Sequence, residues 1–489
     1  MSALMAVYAP AAWPALGALA IAALPARWSR LLARAVAAGL GVLAVWCGAL
    51  ALGGRAPWDA LSLWLLLPGL GLGALGLWAS DALLAREAGH ADVSPERRLV
   101  LERRYLALYS AFAATIALVA SADGILLMWV AVEGTTLASV LLVAHPRLPT
   151  SVEAAWKYLV ATSVGGLLAL LGTVFIASAC HVSLGAPPGV LPAPLAAPAV
   201  PAALVGFAFA AVGFGTKVGL APMHGWLPDA HSEAPAPVSA LLSGIELATV
   251  LYALTRLERI VAIATGSAWP GRWLVIFGLL SLALAALFIG VQRDLKRAYA
   301  YSSVEHMGLV ALGAGVGGMA VVGALLHVWT HAFTKSGLFL AAGNVRHRFG
   351  AAKLPEADHL LGAMPRTGWA VALGTWAIAG LPPFGPFFSE WLILRGAVRQ
   401  GDAAAAAAAA ALLAAVAVGL GRQVPRILLG GRRPRQPVAG RGAAWETAGE
   451  LWPMAALTLF GLAAGVAVPA AFGHVLRHAA SLAQGGMGR

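Results

Sequence analysis

The stretch GFGTKVGLAPMHGWLPDAHSEAPAPVSALLSG, Gly213 to Gly244, places a lysine inside an apolar run and two prolines close behind it, Lys217 before Pro222 and Pro228. Proline removes an amide donor and clashes with the carbonyl four residues back, so Pro222 is predicted to break a helix and free the carbonyl of Val218. In lipid, broken backbone survives only against protein or a water-filled cavity. A second span has the same ingredients, with Pro382, Pro383 and Pro386 ahead of Glu390. Two proline-interrupted spans at matching places in two halves of a chain point to an inverted repeat, with an ion path at its interface.

Working outward, apolar stretches of about 20 residues, enough to cross a bilayer, recur along the whole chain. Sixty per cent of residues are hydrophobic and 11% charged, against about 25% charged in a soluble domain. The expected fold is therefore an all-α integral membrane protein of about fourteen transmembrane helices, over 4–25, 31–53, 60–80, 105–121, 124–144, 156–180, 203–227, 236–257, 272–291, 301–317, 320–345, 368–398, 403–421 and 449–473. Spans 7 and 12 are the broken ones. They lie at an offset of five, which makes spans 4–8 and 9–13 the two inverted five-helix repeats. The organisation is then 1–104 (spans 1–3 and a polar loop, Asp81 to Arg104), 105–258 (first repeat), 259–421 (second repeat) and 422–489 (a basic linker, Gly430 to Gly440, and the last helix). No Lys or Arg precedes the apolar stretch Ala6 to Leu24, which is read as the first membrane helix rather than a signal peptide. The proline-rich segment Ala186 to Pro201 reads as an ordered external loop. The alanine run from Ala403 reads as a weakly hydrophobic helix, alanine being the best helix former.

A net charge of +12 would suggest nucleic acid as a partner of a soluble protein; here the positions of the charges decide. Twenty-three of the 33 Lys and Arg fall in one alternate set of loops, such as Arg27, Arg30 and Arg34 or Arg422 to Arg441, and eight, including Arg55, Arg256, Arg259 and Arg272, in the other. The positive-inside rule makes the richer side cytoplasmic and puts both termini outside, as in a multi-pass protein of a prokaryotic inner membrane. Two cations remain, Lys217 and Lys335, both inside apolar spans. Only five of the 33 are lysines, so these two are notable. Arginine stays charged, whereas a desolvated lysine can release its proton near neutral pH. The two cysteines, Cys47 and Cys180, have no partner at metal-ligand spacing. An iron–sulfur cluster needs about four thiolates, so the chain is not expected to bind a redox cofactor or a metal itself.

The Gly213–Gly244 stretch resembles the signature of the antiporter-like subunits of respiratory complex I, Mrp-type cation/proton antiporters and group 4 membrane-bound hydrogenases. QRDLKRAYAYSSVEHMGLV (Gln292 to Val310), HAFTKSGLFLAAGNV (His331 to Val345) and LPPFGPFFSEWLIL (Leu381 to Leu394) support the resemblance, which covers roughly 105–400. Within that family KVGLAPMH and WLPDAHSEAP look most like the F component of hydrogenase-4 or formate hydrogenlyase-type complexes. The resemblance implies a fourteen-helix bundle that moves protons, driven by electron transfer in partner subunits. Those partners would carry a [NiFe] centre and iron–sulfur clusters, or flavin and quinone in a complex I-like assembly. It also implies other membrane subunits beside this one.

Carried over residue by residue, Glu133, in MWVAVEGTTLASV, matches the family's glutamate of span 5, and Lys217 its lysine of span 7; together they would form a switchable ion pair. Lys335 matches a relay lysine of span 11, and Glu390 the terminal residue of span 12. His327 and His331 precede Lys335 by two helical turns and one, on the same face, and histidine exchanges protons near neutral pH. His224, Asp229 and His231 surround the break in span 7 and, with Glu246 and His306, are candidates for input or relay; capping or structural pairing is the competing role for Asp229. One position departs from the family pattern: in GIELATVLYA the usual span 8 lysine is replaced by Ala248, with an acid at Glu246. The alternatives are a complex I subunit of the M, N or L type, an Mrp-type sodium/proton antiporter subunit, and a membrane anchor that no longer transports.

Overall fold

A computed structural model describes residues 3–87, 94–349, 359–429 and 446–484. The Gly430–Gly440 linker lies outside them, as do Lys353, Arg432, Arg433, Arg435, Arg441 and Arg489. All regular structure among the described residues is helical. α1 (Ala3–Ala23), α2 (Ser29–Leu52) and α3 (Ala60–Glu87) precede α4 (Pro95–Ser121), α5 (Ile125–Val143) and α6 (Pro149–Ala179). Span 7 is α7 (Val200–Val218), a break, and α8 (Leu227–Glu233). Span 8 is α9 (Ala236–Leu241) running through a π-helical turn, Leu242–Glu246, into α10 (Leu247–Thr265). α11 (Trp269–Phe288), α12 (Leu295–Val316) and α13 (Met319–Phe349) follow, then a short α14 (Leu360–Ala363). Span 12 is α15 (Pro365–Ile378) and α16 (Gly385–Arg399), followed by α17 (Ala403–Leu429) and α18 (Ala448–Ala483).

By length and composition, ten helices among the described residues could cross a membrane. α12, α13, the two pieces of span 12 and α18 are not among them. The first two carry buried polar and charged groups, and the third is interrupted. α1 packs into the bundle, with Trp13 Nε1 donating to the Val36 carbonyl (3.1 Å) and Trp58 Nε1 to that of Val7 (3.1 Å). The Asp81–Arg104 segment is largely helix rather than loop: α3 runs on to Glu87, and Ser94 caps α4 at Arg97 N. The proline-rich loop Ala186 to Pro201 is tied down by backbone bonds from Leu195 to Ala264 (2.7 Å) and from Ile125 to Ala186 (3.2 Å). Arg256, counted above with an outer loop, lies fully inside α10 and donates to Asp59 Oδ1 (2.6 Å); Arg259 is buried as well.

The expected cause of the break in span 7 needs correcting. α7 ends before Pro222, in a Schellman closure: Gly219 lies in the left-handed region (φ 78°), its N–H meets the Thr216 carbonyl, and Leu220 N meets that of Gly215 (2.9 Å). The loop is held by Ala221 N donating to Ser281 Oγ (2.9 Å) and by Trp226 Nε1 donating to the Thr216 carbonyl (2.8 Å). Span 12 breaks in the same way. Gly380 (φ 67°) donates to the Ala377 carbonyl and Leu381 to that of Trp376. Neighbouring spans pack in both halves, α4 on α5 and α11 on α12, α6 on α7 and α13 on α15, with α13 lying still more closely along α16. In each span glycine ends the first half-helix, and proline prevents the chain from resuming it at once.

Gly219→Ala is expected to lower stability by about 1–2 kcal/mol, the cost of a side chain in the left-handed region, with further loss from collision with Leu227. Gly225→Ala, with open space around it, is expected to be near neutral. Thermal unfolding of the two variants in detergent checks the difference.

Candidate functional site

The break puts Lys217 in the last turn of α7, 1% exposed. Its Nζ lies 3.0 Å from Glu246 Oε1 and donates to the Tyr158 hydroxyl at 2.6 Å. Glu246 comes from the π-helical turn of span 8, a feature frequent at functional sites. It also accepts from Thr135 Oγ1 (2.9 Å), and its second oxygen has no partner among the described residues. Tyr158 stacks on Trp226 (centroids 4.3 Å apart) and shares a 2.8 Å hydrogen bond with Ser139. The lysine is thus held from α5, α6, the loop of span 7 and span 8 together.

The expected pairing of Lys217 with Glu133 is not what the structure shows. Lys217 pairs with Glu246. Glu133 is half-buried, with its carboxylate directly over Gly166 of α6, and interacts with both Lys217 and Glu246 through space. The physical reason is reach. α5 presents Thr135, just beyond Glu133, to the pair, while the π-helical turn carries Glu246 onto the end of α7. Ala248, buried nearby, leaves span 8 with no cation at that level.

A second cluster occupies the other repeat. Lys335 is fully buried on α13 and donates to the Tyr299 carbonyl (3.1 Å) and Ser302 Oγ (2.8 Å) of α12. Glu305, buried on α12, is the carboxylate whose field it feels. His306 Nδ1 and His327 Nε2 lie 2.9 Å apart, and His327 Nδ1 lies 2.9 Å from Ser389 Oγ on α16. His331 stands beside both, its ring centroid 5.1 Å from that of His306. Glu390 reaches this group, with ligating atoms of His306, His327 and Glu390 all within 4.8 Å of one another, and its carboxylate folds back over Gly380 at the break. Glu390 Oε1 and both nitrogens of His331 are buried without partners among the described residues. Buried polar atoms are almost always satisfied, so this cluster has the chemistry of a place that takes water.

On the Lys335 side lies His231, buried against Phe339 with both nitrogens unpartnered among the described residues, and the Ser243–Ser303 hydrogen bond (2.7 Å) joins the π-helical turn of span 8 to α12. Asp229 is tied to Arg297 (2.5 Å) and Lys157 (3.2 Å), so the structure gives it a pairing partner on each side. His224 sits at the rim of the break, partly buried, 6.3 Å from the Tyr301 ring. Sequence reasoning missed Tyr158 and Glu305. A buried acid in a membrane span is a functional candidate by default, and Glu305 directly precedes His306, so it was findable. Tyr158 becomes visible only through tertiary contact.

Comparison with known proteins agrees with this architecture. The chain is 39% identical to a hydrogenase-4 component F homolog of Methylacidiphilum infernorum over 331 residues, 65% of this chain and 66% of that one. It is 35% identical to NADH-quinone oxidoreductase subunit N of Desulforudis audaxviator, over 56% of this chain and 54% of that one. The chain thus matches just under two thirds, or about half, of these relatives' own length. In fold it superposes on a chain of the Mrp complex from Dietzia sp. with a TM-score of 0.82 (21% identity, 99% and 97% covered). With a chain of Thermus thermophilus respiratory complex I the TM-score is 0.73 (24% identity, 94% and 98% covered). Residues 122–416, with both helix breaks and both buried lysines, match the NADH:quinone oxidoreductase/Mrp antiporter transmembrane family, and the chain belongs to it as a multi-pass, antiporter-like membrane subunit.

Proposed function

We propose that this chain moves protons as the antiporter-like subunit of a group 4 [NiFe]-hydrogenase of the hydrogenase-4 or formate hydrogenlyase type, with the metal centres in partner subunits. The observation that carries the proton reading is the buried Lys217–Glu246 pair at a helix break. At 3.0 Å and an effective dielectric of about 20, the attraction is worth about 5 kcal/mol, while desolvation costs several kcal/mol per ion. The two nearly cancel. A small movement of the π-helical turn or of the α7 end would therefore tip the balance. An ammonium that loses its carboxylate keeps the desolvation cost without the compensation, and it is driven to pass its proton on.

In this reading the route runs from the Lys217 pair past His231 and the Ser243–Ser303 contact to Lys335, then through His331, His306 and His327 to Glu390. His224 belongs to the input side, Glu133 tunes the pair from α5, and Glu305 plays the same part for Lys335. The 39% identity to a hydrogenase-4 component F homolog supports this class of complex over an Mrp-type or complex I subunit. The membrane is that of a prokaryotic cell, with the arginine-rich loops in the cytoplasm and the termini outside.

In vesicles, the intact complex with Lys217→Ala is expected to transfer electrons while proton uptake per electron falls; unchanged uptake would sink the proposal. Sodium-dependent pH change by the chain alone would favour the antiporter class. For orientation, Arg272→Cys is expected to react with an impermeant maleimide in intact cells, and Arg366→Cys only in inverted vesicles.

A further inference from the structure

At the arginine-rich end of the bundle a cavity of 760 Å³ opens between the end of α3, the first turns of α4, the α5–α6 turn and the ends of α8 and α13. Arg97, Arg98, Arg147, Lys296 and Arg346 line it, against two carboxylates, Glu102 and Glu233. Both carboxylates are already engaged. Glu102 takes a two-pronged bond from Arg30 (2.9 and 2.7 Å), and Glu233 accepts from Thr150 (3.0 Å) and lies 3.7 Å from Arg346.

Two of the arginines, Arg97 and Arg147, are less well served. The side chains of Arg97 and Arg147 have no hydrogen-bond or ion-pair partner among the described residues. Lys296, 1% exposed, donates to the carbonyls of Ser232 (3.2 Å) and Ala234, and Arg346 donates to the same Ser232 carbonyl (2.7 Å). Two cations therefore meet at one helix end, sharing Glu233 and Asp294 as their nearest carboxylates. His145 adds no charge, since desolvation and neighbouring Arg147 push it down to about 4. Leu83, Leu84, Leu101 and Leu148 complete the wall. A cavity with surplus positive charge and apolar walls, at the end of a bundle where headgroups lie, suits an anion that carries an apolar tail.

We infer that this cavity binds the phosphate headgroup of an anionic phospholipid, with Arg97 and Arg147 on the phosphate and the leucines against the first acyl carbons. The inference does not depend on proton movement: a lipid site can fail while the Lys217 route stands, and the reverse. A free phosphate shares the same recognition chemistry, and a water-filled vestibule is the remaining occupant.

The test uses the purified complex in nanodiscs of mixed phosphatidylglycerol and phosphatidylcholine, with co-released lipid read by native mass spectrometry. Wild type is expected to retain phosphatidylglycerol preferentially, and Arg97→Gln with Arg147→Gln to lose about tenfold of that preference. Arg272→Gln, which removes an arginine elsewhere, is expected to retain it. The two single variants at Arg97 and Arg147 serve if the double variant does not assemble. Equal retention of the two lipids by wild type, no change in the variants, or displacement by millimolar inorganic phosphate would each overturn the assignment.

Discussion

A lysine ammonium and a glutamate carboxylate sit 3.0 Å apart in the interior of a membrane bundle, and much of the surrounding structure exists to hold them there. Neither charge could be buried alone, because the desolvation penalty would be several kcal/mol per ion. The Schellman closure at Gly219 ends α7 just beyond Lys217. The π-helical turn brings Glu246 to meet it. Tyr158, stacked on Trp226 and bonded to Ser139, takes a second donor position of the ammonium. These supports come from four different elements, so the pair is positioned by tertiary packing rather than by one helix.

The second repeat uses the same backbone device for a different arrangement. The break at Gly380 is covered by the Glu390 carboxylate, which belongs to the half-helix after the break, whereas Lys217 belongs to the half-helix before it. Around Glu390 the neighbours are His306 and His327, with Glu305 acting through space, rather than a lysine and a tyrosine. Lys335 is held by α12 through a carbonyl and a hydroxyl, with Glu305 in reach but not in direct contact. One repeat thus carries a formed ion pair. The other carries a cluster of titratable groups, Lys335, Glu305, three histidines and Glu390, with several unpartnered atoms among the described residues.

How much of this the sequence discloses depends on which physical level sets each feature. Local and compositional signals are legible: the apolar spans, the two broken ones five apart, the intramembrane lysines, and the i, i+4 face of His327, His331 and Lys335. The break itself falls in the expected loop for a different reason, since proline is conspicuous while the stop is made by a left-handed glycine just ahead of it. The partner of Lys217 is not legible, because a carboxylate 84 positions away and one 29 away are equally silent about reach; a π-helical turn, invisible to periodicity, decides between them. The same turn alters the meaning of Ala248. The missing span 8 lysine looks like a gap in the path, yet span 8 contributes the pairing carboxylate two residues earlier. Arg256 reads as an outer-loop residue for a related reason, because its partner Asp59 lies almost two hundred residues away.

The pairing of Lys217 with Glu246 is the claim on which the rest turns, and proton uptake per electron by the intact complex carrying Glu246→Gln tests it most directly. The account predicts reduced uptake with electron transfer retained, and a smaller loss for Glu133→Gln. Undiminished uptake in Glu246→Gln, with loss in Glu133→Gln alone, would contradict it.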